Sequence, residues 1–190
     1  MSPGPSLAVV MNTSLHSGHR AGYVCALAHG AGVGLYGLLT VAGLAVLITS
    51  SPALFTFMQV AGAGYLIYLG IKSLRGGSGA MPTEGHAPRD HRGAALSGFL
   101  VAFLNPKLAI FMLALFAQFL DPQAGVVEKG IMVATVGITD ACWYSLIVAL
   151  VSHPRFLERL QRSAKLIDQV FGVILILLAL SVMLRAGGLV

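Results

Sequence analysis

A proline and a lysine interrupt a long apolar stretch of this chain, at Asn105-Pro106-Lys107 within FLNPKLAIFM. A proline inside a helix removes one backbone hydrogen bond and clashes with the preceding turn. A lysine in apolar surroundings keeps its charge only where water, polar protein groups or a ligand surround the ammonium. The tripeptide therefore predicts a helix break beside a cation that could bind a carboxylate or another anion.

A second interpretation of Lys107 is structural: its ammonium would only bond the carbonyl groups that Pro106 frees. The other charge in a comparable setting is Asp140, within GITDACWYS. A carboxylate in an apolar segment can carry a proton or bind an ammonium group. Asp140 could equally form an ion pair with Lys107 that serves the structure alone. The residues by themselves leave these alternatives open.

The elements that position these charges are predicted to be membrane spans. The chain has 190 residues, of which 56% are hydrophobic and 10% charged, against about 25% charged in soluble domains. Between Ala21 and Ile71 there is no Asp, Glu, Lys or Arg, and about 20 apolar residues suffice to cross a bilayer. The composition predicts an all-α integral membrane protein.

Uncharged apolar runs bounded by turn residues predict the individual spans. The long runs fall near Ala21–Ser50, Pro52–Ile71, Gly93–Leu120, Gly130–Ser152 and Lys165–Leu184. A further run, Met1–Leu15, would reach only about 22 Å at roughly 1.5 Å per residue, against a hydrocarbon core of about 30 Å. We therefore expect about six transmembrane helices in one domain over 1–190. The first helix would be a half-span, or would begin upstream of Met1.

The distribution of basic residues predicts the orientation. One set of loops holds nine of the twelve Lys and Arg residues, the opposite set holds Lys129 and Arg185, and Lys107 lies within a span. Because Lys and Arg concentrate in cytoplasmic loops, we expect both termini outside and a cytoplasmic loop over about 75–93. The basic residues would then face lipid headgroups, so the formal charge of +5 does not indicate a nucleic-acid partner.

The two halves of the chain contain similar segments. PSLAVVM at Pro5–Met11 and PKLAIFM at Pro106–Met112 are identical at four of seven positions. With three spans in each half, about 1–77 and 93–190, the second half enters the membrane from the opposite side. Such inverted repeats are common in secondary transporters, whose two broken helices meet near the midplane at the substrate site. The site would join SPGP with NPK, and Asn12 would face the first break.

Several stretches match the motifs of one known protein family in order and spacing. They are SPGPS at 2–6, GHRAG at 18–22, AGAGYLIYLGIKSLR at 61–75, GFLVAFLNPKLAIFM at 98–112, QFLDP at 118–122 and TDACWYS at 139–145. With them the chain resembles the LysE/RhtB family of amino-acid exporters over nearly its whole length. The resemblance implies a six-helix carrier of the bacterial inner (plasma) membrane that exports amino acids or related metabolites, driven by protons. It places the family signature on Pro3, Gly4, Pro5, Asn105, Pro106, Lys107 and Asp140.

A divalent metal exporter is the main alternative, and a membrane-embedded enzyme is another. A metal carrier needs Asp, Glu, His or Cys clustered within the membrane, whereas Asp140, His29, Cys25 and Cys142 are scattered over two predicted spans. An enzyme needs a nucleophile with its base, or a metal triad, and no such motif stands out. We expect no catalysis, no cofactor and no metal. The expected partners are an amino acid, protons and lipid, with a homo-oligomer left open.

Overall fold

The structure is a computed structural model, and it describes residues 5–75, 90–121, 123–151 and 154–186. Within these ranges all regular secondary structure is helical, which confirms the predicted all-α class. The helices are α1 (Pro5–Ser17), α2 (His19–Ser50), α3 (Pro52–Leu74), α4 (His91–Phe103), α5 (Pro106–Phe119), α6 (Val126–Val151) and α7 (Pro154–Ala186).

Most of the predicted spans correspond to single long helices. Of the described helices, α2, α3 and α6 are each long and apolar enough to cross a bilayer. The pair α4 and α5 passes the same test together and is bent by 56°, as in a broken span or a re-entrant loop. α1 has 13 residues, and α7 begins at Pro154, well before the predicted start at Lys165. The total of six crossings stays a prediction.

The chain turns between helices at residues suited to the purpose. Gly18 separates α1 from α2 with φ 86° and ψ 165°, a conformation that is strained for residues with a Cβ. Pro52 opens α3, where its missing N–H is no loss. Asp90 caps α4 by accepting a 2.9 Å hydrogen bond from the Gly93 N–H. Residues 76–89 of the predicted cytoplasmic loop lie outside the described residues.

The helices pack around α2, which contacts α6 and α4 most extensively, while α3 contacts α7 and α5. One buried cluster joins α1, α2, α4 and α6, a second joins α2 with α3, α4 and α5, and a third joins α3 with α5 and α7. The predicted repeat would make α2 equivalent to α6 and α3 equivalent to α7. Both of these pairs are in contact, as helices beside a two-fold axis would be. The repeat and its boundaries stay predictions.

Glycines bring α2 very close to two of its neighbours. A Cβ added at Gly30 would lie 2.8 Å from the carbonyl oxygen of Gly137 and 2.6 Å from the Cβ of Ala141, both on α6. A Cβ at Gly98 of α4 would overlap the Cys25 carbonyl of α2. Small residues at crossings allow such an approach of two backbones. The α2–α6 contact fixes the position of His29 and Asp140, which are neighbours of the touching residues.

The glycine at the α2–α4 crossing provides a first test of this packing. We expect Gly98→Ala to lower stability by about 1–3 kcal/mol, the usual effect of overpacking, because the added methyl meets backbone that cannot rotate away. Gly43→Ala, on α2 with nothing within 4 Å of the added Cβ, is the matched control. The measurement is the apparent melting temperature in detergent. Equal melting temperatures for the two variants would contradict the close α2–α4 contact.

Candidate functional site

The break predicted at Asn105-Pro106-Lys107 is confirmed, and local chemistry explains it. α4 ends at Phe103 and α5 begins at Pro106, with Asn105 between them in an extended conformation. The side-chain oxygen of Asn105 accepts hydrogen bonds from the backbone N–H groups of Lys107 (3.0 Å) and Leu108 (3.3 Å). Asparagine is a favoured residue at this capping position. The sequence therefore ends one helix and starts another within a single apolar stretch.

A cavity of about 370 Å³ lies at this break. Its wall includes Pro5 at the start of α1, Asn105 and Lys107 at the start of α5, and Asp140 on α6. The structure thus brings four of the sequence-predicted site residues to one cavity. It also places the N-terminus of α5 there, where the positive end of the helix dipole favours an anion.

The remaining predicted site residues are placed differently. Pro3 and Gly4 lie outside the described residues. Pro106 occupies the first turn of α5, and Asn12 lies further along α1, where its carbonyl is 3.0 Å from Nδ1 of His16. Neither Asn12 nor Pro106 belongs to the described part of the cavity wall. Their roles in binding stay predictions.

Asp140 pairs with His29, which lies 111 positions earlier in the chain. Oδ2 of Asp140 and Nδ1 of His29 are 2.6 Å apart, and the two residues are only 6% and 2% exposed. Because a carboxylate only accepts hydrogen bonds, Nδ1 of the ring carries a hydrogen and donates a hydrogen bond to Asp140. The sequence predicts Lys107 as the structural partner of Asp140, whereas the structure places His29 there.

The other ring nitrogen of His29, Nε2, is buried and has no hydrogen-bond partner among the described residues. The ring meets the Tyr144 ring edge-on at a centroid distance of 4.7 Å. Both His29 and Tyr144 contribute to the cavity wall. The site therefore contains a carboxylate–imidazole pair with one unused ring nitrogen.

Lys107 contributes the positive charge of the site. Its ammonium lies within the electrostatic influence of Lys72 on α3 and Asp168 on α7. Asp168 is 2% exposed, and its Oδ1 has no hydrogen-bond partner in the described part of the chain. Asp168 is not among the residues that the sequence predicts for the site, because a single acid near the start of a predicted span belongs to no recognisable motif.

Further polar residues of the wall were also missed by sequence reasoning. They are Ser6 on α1 and Thr135, Thr139 and Tyr144 on α6. Thr135 and Thr139 are four apart, as are Asp140 and Tyr144, so each pair shares a helix face. This spacing around a buried acid was the signal that could have identified them.

The rest of the cavity wall is apolar. It includes Val33, Leu69, Phe111, Met112, Leu115 and Phe171, from α2, α3, α5 and α7. Small-molecule sites are typically cavities of about 300–1,000 Å³ with an apolar lining and a few polar groups that fix orientation. Among the described residues, no group of three or more His, Cys, Asp or Glu is placed to hold a metal ion.

Comparison with known proteins gives a consistent result. A family model described as LysE type translocator matches residues 1–186. The leucine efflux protein of Salmonella typhimurium is 32% identical over 184 residues, covering 92% of this chain and 84% of the relative. The uncharacterized membrane protein YrhP of Bacillus subtilis is 26% identical, covering 92% of this chain and 88% of that protein. No solved structure matches the chain significantly.

Proposed function

The chain belongs to the LysE type translocator family, and from that premise we propose that it exports an apolar α-amino acid across the bacterial inner membrane. Leucine is the first candidate, because a relative with 32% identity is named a leucine efflux protein. The observation that carries the proposal is the chemistry of the cavity wall. It combines a cation at a helix N-terminus, a buried acid and an apolar surface, which are the three features that a zwitterion with an apolar side chain requires.

Each part of the amino acid has a suitable partner in this proposal. The carboxylate binds at the start of α5, near the Lys107 ammonium and the positive end of the helix dipole. The ammonium binds at Asp140. The side chain lies against the apolar surface that includes Phe111, Met112 and Phe171.

The proton-motive force is the proposed energy source, because the resemblance to the LysE/RhtB exporters implies a proton-driven carrier. The amino acid crosses without chemical change. We propose that both termini lie outside and that the segment between α3 and α4 is cytoplasmic, on the basis of the nine basic residues on that side and the positive-inside rule.

Export can be tested in cells that overproduce the protein and are fed a leucine-containing dipeptide, so that internal leucine rises. We expect leucine to appear outside faster than in cells with an empty vector. A lysine-containing dipeptide should give no such difference, because the apolar wall offers no partner for a second ammonium. Equal leucine release from both kinds of cell would contradict the proposal.

The orientation is tested by single cysteines in a background with Cys25→Ala and Cys142→Ser. We expect a membrane-impermeant maleimide added to intact cells to label Ala124→Cys, between α5 and α6, and to miss Ser78→Cys. Lysed cells should show labelling at both positions, which is the control for accessibility. The reverse pattern in intact cells would overturn the assignment.

A further inference from the structure

We infer that His29 and Asp140 form a binding site for one proton, and that this proton and the ammonium of the amino acid exclude each other there. The inference rests on the proposed function, and it assigns the coupling of export to protons to one pair of side chains. In the substrate contacts proposed above, Asp140 binds the ammonium and His29 has no contact with the amino acid.

The geometry provides an unused position for the proton. Nδ1 of His29 donates to Oδ2 of Asp140 at 2.6 Å, so in the neutral ring Nε2 holds a lone pair. Nε2 is buried without a hydrogen-bond partner in the described part of the chain, and His29 borders the cavity. A buried acceptor with no donor is costly, so the lone pair of Nε2 is not stabilised by the protein, and the adjacent carboxylate would stabilise the imidazolium that a proton at Nε2 creates.

The glycine contact between α2 and α6 keeps the pair together. Gly30 follows His29 directly, and a Cβ there would meet Gly137 and Ala141 on either side of Asp140. Two helices in such close contact hold the imidazole against the carboxylate. The two side chains therefore form one site, whose two states differ by one proton.

The charge of the pair decides what it binds. With a neutral ring, His29 and Asp140 together carry one negative charge, which attracts the ammonium of the amino acid. With a proton on Nε2 the pair is an imidazolium and a carboxylate, with no net charge, and the ammonium loses its attraction. Binding of one ammonium thus releases one proton, and binding of one proton releases the amino acid, so charge and protons balance.

The other titratable groups around the pair are not proposed to bind the exchanged proton. Among the described residues, the remaining titratable groups of the wall are Lys107 on α5 and Tyr144 on α6. α1 contributes Pro5 and Ser6, α3 contributes Leu69, and α7 contributes Phe171, none of which titrates, while α4 contributes nothing. Lys107 brings a positive charge in both states of the pair, and it interacts electrostatically with Lys72 and Asp168. His29 and Asp140 are therefore the groups able to exchange a proton for the substrate.

This exchange explains the direction of transport. When the site opens to the more acidic outside, a proton binds and the amino acid leaves. When the site opens to the cytoplasm, an amino acid binds and the proton leaves. The result is exchange of one proton for one amino acid.

The test uses purified full-length protein in detergent and leucine as the ligand. Proton release on addition of leucine is measured in weakly buffered solution, and leucine affinity is measured by calorimetry over a range of pH. Where the pair carries its proton before leucine is added, we expect about one proton released per leucine bound and a Kd that rises about tenfold for each unit of decreasing pH, as one-site competition requires. His16→Gln, on exposed α1 surface, is the matched control and should behave like the wild type.

His29→Gln can still donate a hydrogen bond to Asp140 but cannot bind a proton. We expect this variant to release no proton, with a Kd for leucine that no longer changes with pH. If the wild-type protein binds leucine without proton release, the inference is overturned while the proposed function stands. If the wild-type protein does not bind leucine, the proposed function fails first. If His29→Gln still releases one proton per leucine, the proton does not bind at Nε2 of His29 and the inference is overturned. Should His29→Gln fail to fold, His29→Asn is measured in its place, with the same expected result and the same overturning one.

Discussion

Lys107→Met is expected to reduce leucine export more than tenfold while the protein still accumulates in the membrane. Methionine keeps the length of the side chain and removes its charge. At an effective dielectric constant of about 20, two unit charges about 4 Å apart attract each other by up to about 4 kcal/mol. Even half of this exceeds about 1.4 kcal/mol, which corresponds to a tenfold change in affinity. The measurement is the rate of leucine release from dipeptide-fed cells, normalised to the amount of protein in the membrane.

Lys129→Met is the matched control, because Lys129 lies in the first turns of α6, away from the cavity wall. We expect it to export at the wild-type rate. Normal export by Lys107→Met would mean that the lysine only bonds backbone carbonyl groups freed by Pro106. If Lys107→Met fails to accumulate, Lys107→Arg keeps the charge, and we expect that variant to retain part of the activity.

Asp140→Asn is expected to have a comparable effect, with export again reduced more than tenfold. The amide keeps the shape of the side chain but loses the charge that attracts the ammonium, by the same Coulomb estimate. It also weakens the charge-assisted hydrogen bond with His29. Asp121→Asn is the control, since Asp121 is exposed and follows the end of α5. Export by Asp140→Asn at the rate of Asp121→Asn would contradict a role for the buried acid.

The double variant, Lys107→Met with Asp140→Asn, separates transport from structure. If the two charges only neutralised each other, removing both would leave neither charge buried and unpaired, and export should recover. We expect no recovery, because each charge has its own partner in the amino acid. Recovery to near the wild-type rate would support the structural interpretation of both residues.

The sequence predicted those features that depend on neighbouring residues. Long apolar runs bounded by turn residues located α2, α3 and α6, because a span is recognised from its own composition. Asn105 and Pro106 located the break, because the cap and the proline act within one turn. The predicted span Lys165–Leu184 lies within α7, which begins at Pro154 and so also includes the charged residues that the sequence assigns to the loop before the span.

Contacts between distant segments could not be predicted in the same way. His29 and Asp140 are far apart in the chain, and an apolar helix gives little periodic signal to show which face meets which neighbour. α2 is apolar on all sides, so its buried and its exposed positions carry the same kinds of residue. The small residues Gly30 and Gly137 were a sign of close packing, but the position of their contact required the three-dimensional structure.

The central claim is that one cavity binds the two charged ends of an amino acid on different helices, with the carboxylate at Lys107. The most direct measurement is calorimetric binding of leucine and of 3-methylbutan-1-amine, which lacks the carboxylate, to the wild-type protein and to Lys107→Met. We predict that the wild type binds leucine more than about tenfold more tightly than the amine, from the Coulomb estimate above, and that Lys107→Met binds the two with similar affinity. If removal of the carboxylate weakens binding equally in both proteins, Lys107 does not bind the carboxylate and the proposed binding mode is wrong.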